Sequence, residues 1–355
     1  MKRRFLPCLI LLAAAACGPS EGAPSSGNAT ADDSTHPVGV TTVAVNEFIS
    51  GEVWYPAVAG SEGTDSYDVR DFTPFILRSM LTGDVQSTYT YDAQRDAEVA
   101  KGKFPVVLFS HGFGGFRTQS TFLTAHLASQ GMIVIAPDHP SRDLAAALTA
   151  GSFETDDPRI HLLESLDYLV GDDTLFAGHV DSERVAALGH SAGGGTILAA
   201  AADDRIDGYV SMASGRLGDA DKGAMPDKPS FFLSGSVDEI VPPSRTADAF
   251  AAAASPSLYW NIDGVGHNGF DDLCTFGNGL GIVGVALASG LEKLLEMQPQ
   301  MRSLGEDGCV PPSRPVTETF PVIRDAVTSW LESLFDGAPT APEVPKGFGI
   351  AVATK

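Results

Sequence analysis

Residues Gly189-His190-Ser191-Ala192-Gly193 set a serine among small neighbours. An apolar strand pattern precedes them (Arg184-Val185-Ala186-Ala187-Leu188) and a small-residue helix pattern follows (Thr196-Ile197-Leu198-Ala199-Ala200). In a chain with 38 glycines the bare spacing GxSxG is weak, and the strand-to-helix setting supplies the specificity. A serine in a strained turn of that kind presents its hydroxyl for attack, and its flanks must be small for strand and helix to approach each other. The bland alternative is a Gly-rich turn with a bystander serine. It leaves the pattern that follows without a cause.

A serine hydroxyl needs a base, and in chains with this elbow the partners follow the nucleophile in the order acid, then histidine. Only His267 lies after Ser191. It stands in Asp263-Gly264-Val265-Gly266-His267-Asn268-Gly269-Phe270, directly after the strand pattern Ser257–Ile262. A loop at a strand end is where reactive groups of open parallel sheets collect. Asp203, Asp204, Asp207, Asp219, Asp221, Asp227, Asp238, Glu239, Asp248 and Asp263 all fall in the interval open to the acid. Asp238 stands out, because it follows the buried-strand pattern Ser230–Gly235 and precedes the turn Val241-Pro242-Pro243. Asp263 is the runner-up, and its loop would have to fold back on itself to reach His267. Asp203, Asp204 and Asp207 read as solvated loop acids.

Acyl transfer also needs two backbone N–H donors for the oxyanion. The apolar run Phe104–Ser110 leads into His111-Gly112-Phe113-Gly114-Gly115-Phe116, a turn in which glycines admit close backbone approach. The donors are assigned to Phe113 and to Ala192, the residue after the nucleophile. Phe113, Phe116 and Phe270 lie beside the expected loops, so the reading places an apolar mouth for acyl or aromatic groups there, with Phe116 and Phe270 as substrate-binding residues. The chemistry calls for no metal or organic cofactor, and the chain has no zinc-type spacing of Cys and His.

These motifs, with the run Phe104–Arg142, the run Val180–Gly195 and the loop at His267, resemble α/β-hydrolases of the platelet-activating factor acetylhydrolase and dienelactone hydrolase group. Gly39–Thr42 and Val53–Ala57 fit that group's opening strands, and the resemblance covers roughly residues 37–335. It implies an α/β fold with a mostly parallel central sheet and helices on both faces. It also implies a carboxylic ester hydrolase with Ser191, Asp238 and His267 as triad. Dienelactone hydrolases proper use a cysteine nucleophile, so the serine shifts the expectation towards ordinary esters. The chain is also similar to cutinase-type polyester hydrolases, through the GHSxGG elbow and the aromatic at the first oxyanion position. A polyester hydrolase, a serine peptidase and a non-catalytic surface lipoprotein therefore stay as alternatives.

The 355 residues carry a formal net charge of −22, which argues against nucleic acid and against a basic membrane-binding face. Lys2-Arg3-Arg4 followed by the apolar stretch Phe5–Ala16 reads as an export signal, too short to span a bilayer. The small residues before Cys17 resemble a bacterial lipobox, with Ala14 where leucine is usual, so Cys17 is the expected lipidation site and ordinary secretion the alternative. Residues 17–37 read as a flexible tether, 38–338 as the catalytic domain and 339–355 as a frayed tail. The expected partners are a small-molecule or lipid ester and, through the anchor, a membrane.

In an exported chain Cys274 and Cys309 are left to form a disulfide. Between them, residues 277–305 read as partly helical core packing or as a lid hinged on glycines. Helical spacing in Val316–Phe335 marks a packing stripe. Residues 71–103 read either as a surface helix with a hairpin lead-in or as one wall of the acyl pocket.

Overall fold

The computed structural model describes residues 35–149, 156–215 and 225–355. The signal segment, Cys17 and the tether up to Ser34 lie outside the described residues, as do Asp219 and Asp221. His36 is already docked, its N–H donating to the Ser129 carbonyl at 2.8 Å, so the tether reading ends before Thr35.

In chain order the first elements are β1 (Val38–Ala44), β2 (Ser50–Pro56), β3 (Thr64–Asp68), α1 (Phe75–Arg78), β4 (Thr88–Asp92), β5 (Gln94–Arg95) and β6 (Phe104–Ser110). Next come α2 (Thr121–Ser129), β7 (Ile133–Pro137), α3 (Leu144–Thr149), α4 (Pro158–Val170), β8 (Val180–His190) and α5 (Ala192–Ala200). The chain continues through β9 (Gly208–Met212), β10 (Ser230–Gly235), α6 (Pro243–Ala252) and β11 (Ser257–Ile262). It closes with α7 (Gly281–Ala288), α8 (Glu292–Met297), α9 (Pro299–Glu306), α10 (Val316–Phe335) and β12 (Ile350–Thr354).

Ten strands form one sheet in the order β12-β11-β10-β9-β8-β6-β7-β2-β1-β5, while β3 and β4 pair separately. From β11 to β7 every neighbour is parallel, and β2 joins β7 antiparallel. The parallel strands are covered on both faces, which is why β6 reads as an unbroken apolar run and is buried throughout. Along β6, Val107 and Phe109 pack with α2 and α10, whereas Val106 and Leu108 face the side covered by α4, α5 and α6. Successive side chains of one strand thus supply both layers of the core.

The C-terminal residues depart from the frayed-tail reading. Residues 350–354 pair antiparallel with β11, from Ile262↔Ile350 to Leu258↔Thr354. Ile-Ala-Val-Ala-Thr is a short β-compatible segment, and the open edge of β11 offers it an unpaired row of backbone groups. Cys274 and Cys309 are disulfide-bonded, tying the turn beyond His267 to the segment between α9 and α10. Among the described residues no helix is long and apolar enough to cross a membrane.

Candidate active site

The parallel strands end on one edge of the sheet, and four of those ends converge. Loop 111–115 leaves β6, Ser191 follows β8, Asp238 follows β10 and His267 follows β11. Ser191 has φ +56° and ψ −123°, a strained conformation for a residue with a side chain. Its flanks show why the small residues are needed. A Cβ on Gly193 would fall on the Ser110 carbonyl, and one on Gly189 would run into the Gly193 carbonyl.

Ser191 Oγ lies 2.9 Å from His267 Nε2, and His267 Nδ1 lies 2.9 Å from Asp238 Oδ2. Both partners are buried. Asp238 Oδ1 accepts the N–H groups of Ile240 and Val241 at 3.0 and 2.7 Å, which fixes the carboxylate plane. Asp263 points elsewhere, pairing with Arg314 at the surface. Among the described residues the Phe113 and Ala192 amides have no hydrogen-bond acceptor. Ala192 opens α5, where an N–H without an intrahelical partner is expected.

Of the three phenylalanines expected at the mouth, Phe116 and Phe270 are not there. Phe116 is 1% exposed and stacked on Phe72 with ring centroids 4.3 Å apart, and Phe270 is fully buried in the main core. Nearness in sequence to a reactive loop does not set side-chain direction, and both rings gain more by burial. The aromatic at the opening is Phe113, which is 48% exposed. It lines a small cavity with Ser191, His267, Leu144, Ile282, Met301 and Leu304. Residues 281–306 thus roof the site. Leu144, Ile282 and Met301 also border an apolar cleft that is lined further by Val69, Leu77 and Leu81. Through Leu77 and Leu81, residues 71–103 are therefore partly pocket wall.

Several residues that shape the site carry no sequence motif. Gln119 accepts the Gly112 N–H at Oε1 (3.3 Å) and donates from Nε2 to His190 Nδ1 (2.8 Å) and Asp271 Oδ2 (3.2 Å). Burial, with the neighbouring His267, keeps His190 neutral, so its Nε2–H donates to the His267 carbonyl at 3.0 Å. Burial likewise pushes the Asp271 carboxyl well above the usual range, and the adjacent Asp272 adds to this. One amide side chain thereby joins the β6 loop, the elbow and the histidine loop.

Asp307 is the second such residue. Its Oδ1 accepts the His267 N–H at 2.5 Å, its Oδ2 the Glu239 N–H at 2.9 Å, and its carbonyl the Asn268 N–H at 2.9 Å. It grips the loops that carry both the acid and the base, and the Cys309 disulfide anchors it. Burial raises its carboxyl pKa, while the N–H groups of His267 and Glu239 pull it down. Asp307→Ala leaves two N–H groups without an acceptor, each worth about 1–3 kcal/mol. The expected outcome is a lower melting temperature and a turnover loss of about a hundredfold, since small misplacements at a reacting centre carry costs of that size. Unchanged turnover in the folded variant would remove Asp307 from the site.

The sheet order and the converging strand ends are those of the α/β-hydrolase fold. The chain is similar to a known family over part of its length: the family model for platelet-activating factor acetylhydrolase, isoform II, matches residues 44–170. Bis(hydroxyethyl) terephthalate hydrolase of Streptomyces coelicolor is 36% identical over 101 residues, 28% of this chain and 29% of that protein. Platelet-activating factor acetylhydrolase of Cavia porcellus is 28% identical over 145 residues, 29% of this chain and 33% of that protein. The chain thus spans about a third of the length of these curated relatives. A ferulic acid esterase from Streptomyces cinnamoneus shares the fold, with TM-score 0.62, 20% identity and coverage of 88% of this chain and 94% of that one.

Proposed function

We propose that the protein hydrolyses carboxylic esters through an acyl-enzyme on Ser191. The observation that carries this reading is the hydrogen-bonded chain Ser191–His267–Asp238 facing two unpartnered amides. His267 Nε2 takes the Ser191 proton as Oγ attacks the ester carbonyl, and the N–H groups of Phe113 and Ala192 receive the oxyanion. Collapse expels the alkoxide, which leaves with the proton from His267. Water repeats the sequence on the acyl group and frees Ser191 and the acid. Asp238 accepts the Nδ1 proton in a hydrogen bond and stabilises the imidazolium.

The apolar cleft beside the cavity favours an ester with an aliphatic or aromatic body over a charged one. The relatives named for acetylhydrolase and for a terephthalate ester activity agree in chemistry and differ in substrate, so both kinds belong in the test. A fluorophosphonate should label Ser191 and stop turnover of p-nitrophenyl acetate, longer p-nitrophenyl esters and bis(hydroxyethyl) terephthalate. A folded protein that takes no label and turns over none of these esters would instead be a binding protein on a hydrolase fold.

Export with a lipid on Cys17 is part of the same proposal. The Cys274–Cys309 disulfide supports an oxidising compartment. Cys17→Ser should release the protein from the membrane fraction without loss of specific activity. Equal membrane retention of the variant would discard the anchor.

A further inference from the structure

We propose that Arg142, in the turn after β7, is a positioning residue for the oxyanion hole that ties its two halves together and sets a fixed positive charge behind them. The inference rests on the ester-hydrolase reading and deepens it. Arg142 Nη2 donates to Ser110 Oγ at 2.8 Å, at the point where β6 enters the Phe113 loop. Its Nη1 donates to the Ala192 carbonyl at 3.2 Å and to Thr196 Oγ1 at 2.7 Å, both in the N-terminal half of α5. Its own carbonyl accepts the Gly114 N–H at 2.7 Å. One residue therefore holds the loop that carries one donor and the helix start that carries the other.

Among the described residues no carboxylate lies within ion-pair distance of Arg142, and its Nε is buried without a partner. Burial brings its pKa down to about 10, opposed by the more distant Asp156, so the group stays cationic at neutral pH. A cation beside the first turn of a helix also works against the helix dipole. A buried, unpaired guanidinium is costly when no counter-charge is present. Negative charge arrives at this place when the tetrahedral intermediate forms against the adjoining amides, and in a low-dielectric site a fixed cation acts on it strongly.

The hydroxyl that receives Arg142 is itself held in one orientation. Burial keeps His139 neutral, so its Nε2 accepts from Ser110 Oγ at 2.8 Å. His139 Nδ1–H then donates to His161 Nδ1 at 3.1 Å, and His161 Nε2–H to Asp156 Oδ1 at 2.6 Å. This chain turns a lone pair of Ser110 Oγ towards the guanidinium.

The test compares Arg142→Gln and Arg142→Lys with the wild-type protein, using p-nitrophenyl acetate and an aryl trifluoromethyl ketone, which adds to Ser191 as a charged tetrahedral adduct. Arg142→Gln should lower kcat by about ten- to a hundredfold with KM within about twofold, and weaken the ketone in proportion. Arg142→Lys, which keeps the charge, should recover most of both losses. The proposal fails if folded Arg142→Gln keeps wild-type kcat, if Lys and Gln are equally impaired, or if kcat falls while ketone affinity does not. Should the Gln variant not fold, Ser110→Ala with Arg142→Lys decides by the same ratio of ketone affinity to KM. Wild-type turnover that Ser191→Ala does not abolish would instead defeat the ester-hydrolase reading itself, a result separable from any of these.

Discussion

Ser191→Ala should lower turnover of p-nitrophenyl acetate by about six orders of magnitude, by analogy with removal of other serine nucleophiles. The variant should stay folded. Ser191 Oγ makes its hydrogen bond to His267, not to a structural partner, and its backbone conformation at φ +56° is held by the Ser191 N–H to Met212 carbonyl bond at 2.9 Å, which alanine keeps. Removing the hydroxyl thus takes away the reaction and leaves the turn. Residual turnover of about a thousandfold over water is expected, because the Phe113 and Ala192 amides and the cavity remain. Steady-state kinetics beside a thermal melt would check both halves. Substantial activity in the folded variant would mean that another group, or water activated by His267, is the nucleophile.

Asp238→Asn should cost about four orders of magnitude through the tautomer of His267. Oδ1 of Asp238 is engaged by two backbone N–H groups, from Ile240 and Val241. An asparagine would keep its oxygen there and turn Nδ2 towards His267 Nδ1. The imidazole would then have to accept at Nδ1 and carry its proton at Nε2, facing Ser191 with no lone pair to take the hydroxyl proton. Substrate binding, which does not involve this contact, should change little, so the loss falls on kcat. A fully active Asp238→Asn protein would remove Asp238 as the acid, and the surface pairing of Asp263 with Arg314 makes that residue a poor replacement.

The oxyanion donors and the supports differ in how visible they were. Ser191, His267 and Asp238 follow strand patterns closed by glycine or a turn, so chain order and strand ends pointed to the three residues that the structure brings into one hydrogen-bonded chain. Gln119, Asp307 and Arg142 make hydrogen bonds to main-chain groups and side chains of other loops, most of them distant in sequence. An isolated glutamine or aspartate has no pattern by which to find them. Asp307 stands just before Gly308-Cys309, and the disulfide expected there was the only hint that this stretch returns to the histidine loop.

The parallel sheet was expected from the family resemblance and the cysteine pair from the export reading, whereas patterning and chain order by themselves marked the elbow, the order of the candidate reactive residues and helix α10. Each of these last three is a local or topological consequence of which residues are apolar, which are small and where the breaks fall. Tertiary structure alone decided which way Phe116 and Phe270 point, that residues 350–354 complete the sheet edge, and that 69–81 and 282–301 enclose an apolar cleft. Those outcomes depend on what the remaining surface has left to bury or pair once the sheet has formed, and that balance is not written in any one segment of the chain.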